Sequence, residues 1–169
     1  MGMVKFWLLE SRLGAIYLAL QILLAACADG MKLPGACALL SPWADISQSG
    51  DSVNFNDGRD PTLSASLLKR AAEMFAPGMD HTDKKLSPLF SDYPANFPPT
   101  FISTGTRDLL MSNAVRLSRR MRRSEIEVQL TVWEQLWHVF EFYPQIPEAA
   151  ESLGEICNFL ERNISISSG

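Results

Sequence analysis

Short apolar runs and amphipathic helical stretches alternate along this chain, and that alternation limits the fold more than any other feature. Ala36-Cys37-Ala38-Leu39-Leu40 is a continuous apolar run stopped by Ser41-Pro42, as expected of a strand covered on both faces. Ile126, Val128, Leu130 and Val132 alternate with Glu127, Gln129 and Thr131, which describes a strand buried on one face and near a sheet edge. Between these two, Leu110, Ala114, Leu117 and Met121 recur at helical spacing while Arg116, Arg119, Arg120 and Arg123 occupy the other side. Val4 to Leu9 and Thr100 to Thr104 read as further strands, and Leu13 to Ala28 and Leu63 to Phe75 as helices. Gly30 caps the first helix, and Pro77-Gly78 closes the second. Pro147 opens a last helix in which Ala150, Leu153, Cys157, Leu160 and Ile164 are expected to face inward, with Glu148 and Glu151 near its positive end. Asp45 to Asp60 is polar and turn-rich and reads as a surface excursion. The stretch carrying Pro88, Pro94, Pro98 and Pro99 reads as a second irregular region. Strand and helix in strict alternation predict an α/β fold: a parallel sheet of about four strands with flanking helices and right-handed crossovers.

Composition narrows the function classes. At 169 residues the chain is expected to form a single domain over 1–169. Fifteen Lys and Arg against 19 Asp and Glu leave a net charge of −4, which argues against nucleic acid as a partner. An apolar share of 47% against 20% charged excludes intrinsic disorder. Cys27, Cys37 and Cys157 form no CxxC pair and read as reduced core thiols in a cytoplasmic protein. With two histidines, His81 and His138, there is no metal-ligand cluster of the usual spacing, and no cofactor is expected. The arginines from Arg116 to Arg123 read as a solvated helix face in an acidic protein.

The N-terminus supports two readings. Lys5 and Arg12 precede an apolar run, and Leu24-Ala25-Ala26-Cys27 has the pattern of a lipoprotein cleavage site, so an exported lipoprotein anchored at Cys27 is one. Against it stand Glu10 within the cationic region and a run of about 16 residues where a membrane span needs about 20. The other reading is a buried helix, with no stable membrane span.

In a parallel sheet, functional groups gather where loops leave the carboxyl ends of the strands. Asp108 follows Thr104 there, and His138 follows Val132. An Asp that faces the Nδ1 of a His fixes its tautomer and stabilises the imidazolium during proton transfer. Asp and His in loops are also commonly local hydrogen-bonding residues, and spacing alone leaves both roles open.

Thr104-Gly105-Thr106-Arg107-Asp108-Leu109-Leu110 and Trp133-Glu134-Gln135-Leu136-Trp137-His138-Val139-Phe140 resemble the acid and histidine segments of the hormone-sensitive-lipase-like branch of the α/β-hydrolases. Leu33-Pro34-Gly35-Ala36 through Ser41-Pro42-Trp43-Ala44-Asp45, Ser87-Pro88-Leu89 and Pro98-Pro99-Thr100 match in the same order, from about residue 10 to the C-terminus. The resemblance implies the C-terminal half of a serine carboxylesterase or lipase scaffold acting on small acyl esters, with Asp108 as triad acid and His138 as general base. The family's nucleophile elbow is Gly-x-Ser-x-Gly. Here the strand-to-helix position reads Leu9-Glu10-Ser11-Arg12-Leu13-Gly14-Ala15. Matched by the preceding Glu, the nucleophile is Ser11, with leucines in place of both glycines; counted back from Gly30, the position falls on Leu13. The family's glycine-rich oxyanion loop, which precedes the elbow, has no counterpart in the chain. The resemblance thus implies an esterase of weak or no activity as an isolated chain, or a catalytically dead fragment acting by association. The N-terminal strand would leave an apolar edge open to self-association.

Overall fold

The computed structural model describes residues 8–9 and 15–166. Four strands form one parallel sheet in the order β1-β2-β3-β4: β1 Leu8–Leu9, β2 Cys37–Leu40, β3 Thr100–Gly105 and β4 Val128–Trp133. The expected N-terminal strand is described over Leu8–Leu9, and its earlier residues lie outside the described ones. The α/β architecture expected from the alternation is therefore the observed one.

Helices cover both faces. On one face α1 (Ala15–Ala28) and α4 (Met111–Arg123) pack Leu20, Leu23, Ala114, Leu117 and Met121 against Cys37, Leu39 and Ile102 of the sheet. On the other, α5 (Pro147–Ile166) packs Ile156, Phe159 and Leu160 against Ala38, Leu40 and Phe101. The assignment follows the two-residue period of a strand, odd positions of β2 facing one core and even positions the other. Phe101 and Phe159 meet edge to face with centroids 5.6 Å apart. Cys37, enclosed in the first core, has its thiol 3.1 Å from the Thr100 hydroxyl, and burial pushes that thiol up to about 11 despite the contact.

Helix α1 ends as the glycine signal predicts. Gly30 has φ +63°, its N–H bonds the Cys27 carbonyl and the Met31 N–H bonds the Ala26 carbonyl, which is the Schellman arrangement. Its apolar character goes all the way round, yet Ala19, Leu20 and Leu23 are buried while Leu18 and Ile22 are more than half exposed. Among the described residues no helix is long and apolar enough to cross a membrane.

Four sequence expectations are corrected, in whole or in part. The segment 45–60 is a surface excursion only in part: it is a strut containing α2 (Asp51–Phe55), with Asp45, Ser52, Asn56 and Asp60 buried while Ser49, Asp51, Phe55 and Asp57 are exposed. Ser52, Asn56 and Asp60 are inside because they satisfy backbone groups of neighbouring loops, and Asp45 because its own turn and Arg116 satisfy its carboxylate. Helix α5 is rotated by about one residue: Ala149, Ser152, Ile156, Phe159 and Asn163 face inward beside the expected Leu160 and the partly buried Ile164, while Ala150, Leu153 and Cys157 are exposed. Both stripes have helical spacing. The observed one places Phe159 on Phe101 and gives Ser152 a buried carboxylate partner. Cys157 is consequently no core thiol, and Cys27, in the last turn of α1, is only partly buried. The arginine face of α4 is not simply solvated either: Arg116 reaches the fully buried Asp45 at 2.8 Å, and Arg120 bonds the Ser91 carbonyl and Asp92.

A third core closes the carboxyl end of the sheet. There α3 (Ala65–Phe75), capped by Ser64, joins Trp43, Val53 and Leu63 around Leu109 and Leu110. This packing sets the floor on which the loop after β3 rests.

Candidate active site

The loops after β3 and β4 meet on the carboxyl edge of the sheet. At the end of β3, Gly105 has no side chain, and one could not fit: a Cβ there would lie 2.0 Å from the Leu136 carbonyl oxygen. That close approach lets the Arg107 N–H bond the Leu136 carbonyl at 2.9 Å, and the Gln135 N–H bond the Thr106 hydroxyl at 2.8 Å. The loop then continues back across the sheet, and the Val139 N–H bonds the Ser41 hydroxyl at the end of β2 at 3.0 Å. His138 is thereby carried away from its own strand, over β3 and toward β2 and β1.

The crossing costs backbone strain. Val139 has φ +50°, a left-handed conformation that a β-branched residue adopts at a cost on the order of 1–3 kcal/mol. Burial of its side chain in the core shared with α5 holds it there. Ser41, its partner, is itself at φ +48°.

The structure brings Asp108 and His138 together. His138 Nδ1 lies 3.4 Å from Asp108 Oδ1, with Asp108 fully enclosed and His138 nearly so. This is longer than a short charge-assisted hydrogen bond, a common state of such pairs without substrate. Asp108 also accepts the Leu110 N–H at 2.8 Å and the Thr104 hydroxyl at 2.7 Å. Burial works to raise its pKa, but the His138 imidazole, the Leu110 N–H and the Thr104 hydroxyl outweigh it and hold the carboxyl below the ordinary range. Asp108 is thus an anion at neutral pH, fixed in orientation by groups on its own loop.

The 45–60 strut buttresses this loop. Asn56 donates to the carbonyls of Thr106 and Asp108 at 3.1 and 2.9 Å, and the Ser52 hydroxyl donates to the Leu109 carbonyl at 2.7 Å. Asn113 in α4 returns the tie, its carbonyl oxygen accepting the N–H groups of Ala44 and Asp45. Asp45, held also by the hydroxyls of Ser47 and Ser49 and by Arg116, sits below the ordinary carboxyl range in spite of its burial. Asp60 accepts the N–H groups of Leu109 and His138 on one oxygen. Behind the sheet edge, Glu141 takes the hydroxyls of Ser103 at 2.5 Å and Ser152 at 3.0 Å. Burial chiefly, and the Asp108 charge in addition, push Glu141 above the ordinary carboxyl range.

Sequence reasoning missed Asn56, Asp60 and Glu141. Asp60-Pro61-Thr62 carries the signal of an Asx turn, and the Thr62 N–H and hydroxyl do bond Asp60. That signal concerns one carboxylate oxygen only. Trp133 and Trp137 pack on Phe140 and Tyr143 beside the histidine loop. His81 bonds the Ala76 carbonyl, away from the pair. Ser11 and Leu13, the two alternatives for the nucleophile position, lie outside the described residues.

Comparison with known proteins decides the family. The profile of the alpha/beta hydrolase fold family matches residues 14–142. This chain belongs to that family. It is 30% identical over 137 residues to an acetyl-hydrolase of Streptomyces hygroscopicus, covering 80% of this chain and 46% of the relative. It is 26% identical over 144 residues to an esterase of Acinetobacter venetianus, covering 84% and 47%. Among solved structures, the esterase E25 superposes with a TM-score of 0.79 at 36% identity, covering 87% of this chain and 46% of that one. A hormone-sensitive lipase from a metagenome library superposes at 0.84 with 27% identity, covering 89% and 52%. This α/β-hydrolase is of the hormone-sensitive-lipase-like kind, and it spans about half the length of the curated relatives it matches.

Proposed function

We propose that this α/β-hydrolase chain carries the acid–base machinery of a serine carboxylic-ester hydrolase, with His138 as general base, Asp108 as the residue that orients it and Ser11 as the nucleophile. The observation that carries the reading is the path of the histidine loop. It leaves β4, crosses Gly105 and reaches Ser41, so that a buried His faces a buried Asp over the carboxyl edge on which β1 also ends. Ser11 lies two residues beyond the end of β1.

In that reading the Ser11 hydroxyl attacks the acyl carbonyl while its proton passes to His138 Nε2. The tetrahedral adduct collapses, the alkoxide leaves with that proton, and an acyl-enzyme remains on Ser11. Water then attacks the acyl carbon, again giving its proton to His138, and the acid departs as the Ser11 hydroxyl is restored. Asp108 stays ionised throughout, because its bonds to Leu110 and Thr104 favour the anion. Hydrolysis of a short-chain nitrophenyl ester is expected to fall in both Ser11→Ala and His138→Ala. Equal rates in the unmodified protein and both variants would leave a catalytically dead hydrolase-like chain.

The same proposal extends to assembly. Among the described residues β1 pairs on one side only, with β2, and a free strand edge favours pairing with a second copy. Light scattering at micromolar concentration is expected to give more than the monomer mass; a monodisperse monomer contradicts it.

A further inference from the structure

Asp60 comes from the strut, not from either loop of the pair, yet one oxygen of its buried carboxylate accepts from both while the other holds its own turn. Oδ1 accepts the Thr62 N–H at 2.8 Å, the Thr62 hydroxyl at 2.7 Å and the Leu63 N–H at 3.1 Å, which fixes the side chain to its own turn. Oδ2 points the other way and accepts the N–H of Leu109 at 3.3 Å and the N–H of His138 at 3.2 Å. The first of these donors is the residue after Asp108; the second is the main chain of the histidine. One oxygen atom therefore bridges the two loops whose side chains meet at 3.4 Å.

We propose that Asp60 is a positioning residue for the Asp108–His138 pair, setting the separation of acid and base by clamping both main chains to one carboxylate oxygen. The proposal rests on the acid–base reading of that pair. A carboxylate is the side chain the geometry requires. All five donors converge on acceptor-only oxygens, and buried N–H groups left without an acceptor are costly. An asparagine has the same shape but only one oxygen. Turned toward Thr62 and Leu63, it presents its NH2 to the N–H groups of Leu109 and His138; turned the other way, it releases its own turn.

The test measures how strongly Asp108 feels His138, with and without Asp60. The Asp108 carboxyl carbon is followed by NMR across pH in the unmodified protein, His138→Gln, Asp60→Asn and the double variant. His138→Gln is expected to raise the Asp108 midpoint in the unmodified background. With Asp60→Asn present, that rise is expected to fall by half or more. Any direct effect of the Asp60 charge on Asp108 is common to both arms and cancels in the cycle. An equal rise in both backgrounds overturns the proposal alone. No rise in the unmodified background removes the Asp108–His138 pairing, and the proposal with it. If the Asp60 variants do not fold, hydrogen exchange in the unmodified protein decides. The Leu109 and His138 amides are expected to be protected as strongly as those of β3, and exchange at the rate of an exposed loop amide at either one overturns the proposal.

Discussion

Replacing Gly105 by alanine probes the joint between the two loops at its tightest point. The added carbon would lie 2.0 Å from the Leu136 carbonyl oxygen, 2.3 Å from the carbonyl carbon and 3.0 Å from the Trp137 nitrogen. Ordinary contact needs roughly 3.5 Å, so the Leu136–Trp137 peptide has to retreat by about 1.5 Å. It cannot rotate away freely, because the same carbonyl accepts the Arg107 N–H. Overpacking of this kind costs about 1–3 kcal/mol, and a lost hydrogen bond about 1 kcal/mol more. With a urea slope of about 1–3 kcal/mol per molar, the unfolding midpoint is expected to fall by about 1 M or more. The displaced peptide lies one residue before His138, so the ring is expected to shift relative to Asp108. The assay is urea unfolding followed by fluorescence, paired with the His138 ring resonances. An unchanged midpoint together with unshifted resonances would refute the claim that the loops are locked at Gly105.

Two further perturbations test neighbouring parts of the account. Ser41→Ala leaves the buried Val139 N–H without its acceptor and is expected to destabilise by about 1–3 kcal/mol, read as a lower urea midpoint. Glu141→Gln tests the buried carboxyl behind the sheet edge, whose pKa is raised in the folded state. A raised carboxyl contributes stability that is present below the ordinary carboxylate range and is lost as pH rises through its folded value. The glutamine variant is therefore expected to match the unmodified protein near pH 4 and to unfold at higher urea near pH 7. A gain of equal size at both pH values would exclude titration of Glu141 as the cause.

How much of this was readable in the chain varies with the kind of residue. A continuous apolar run located β2, apolar periodicity located β4 and α4, Pro147 marked the start of α5 and Gly30 the end of α1, because these signals arise from burial and backbone sterics within a few residues. Loops leaving the carboxyl ends of parallel strands share one edge, which made Asp108 and His138 candidates, and the family resemblance of their two segments implied the acid–base roles. The strut was not legible in this way. Asp45, Ser52, Asn56 and Asp60 have the composition of a solvated loop, and only the distant groups they bond, such as the Leu109 and His138 amides, make them interior. In α5 two stripes one residue apart both satisfy the helical period. The choice between them is made by Phe101 across the sheet and by Glu141 beneath it, neither of which is near in sequence to Phe159. The Gly105 contact is likewise invisible locally, since its partner is a carbonyl in a different loop.

In the proposed reaction Ser11 is activated by His138 under the direction of Asp108. The most direct measurement is labelling of the intact protein with an organophosphonate ester, which reacts covalently with an activated serine, followed by mapping of the adduct by mass spectrometry. An adduct on Ser11 is expected, lost in His138→Gln and diminished in Asp108→Asn. An adduct on another residue, or labelling of Ser11 that persists unchanged without His138, would contradict it.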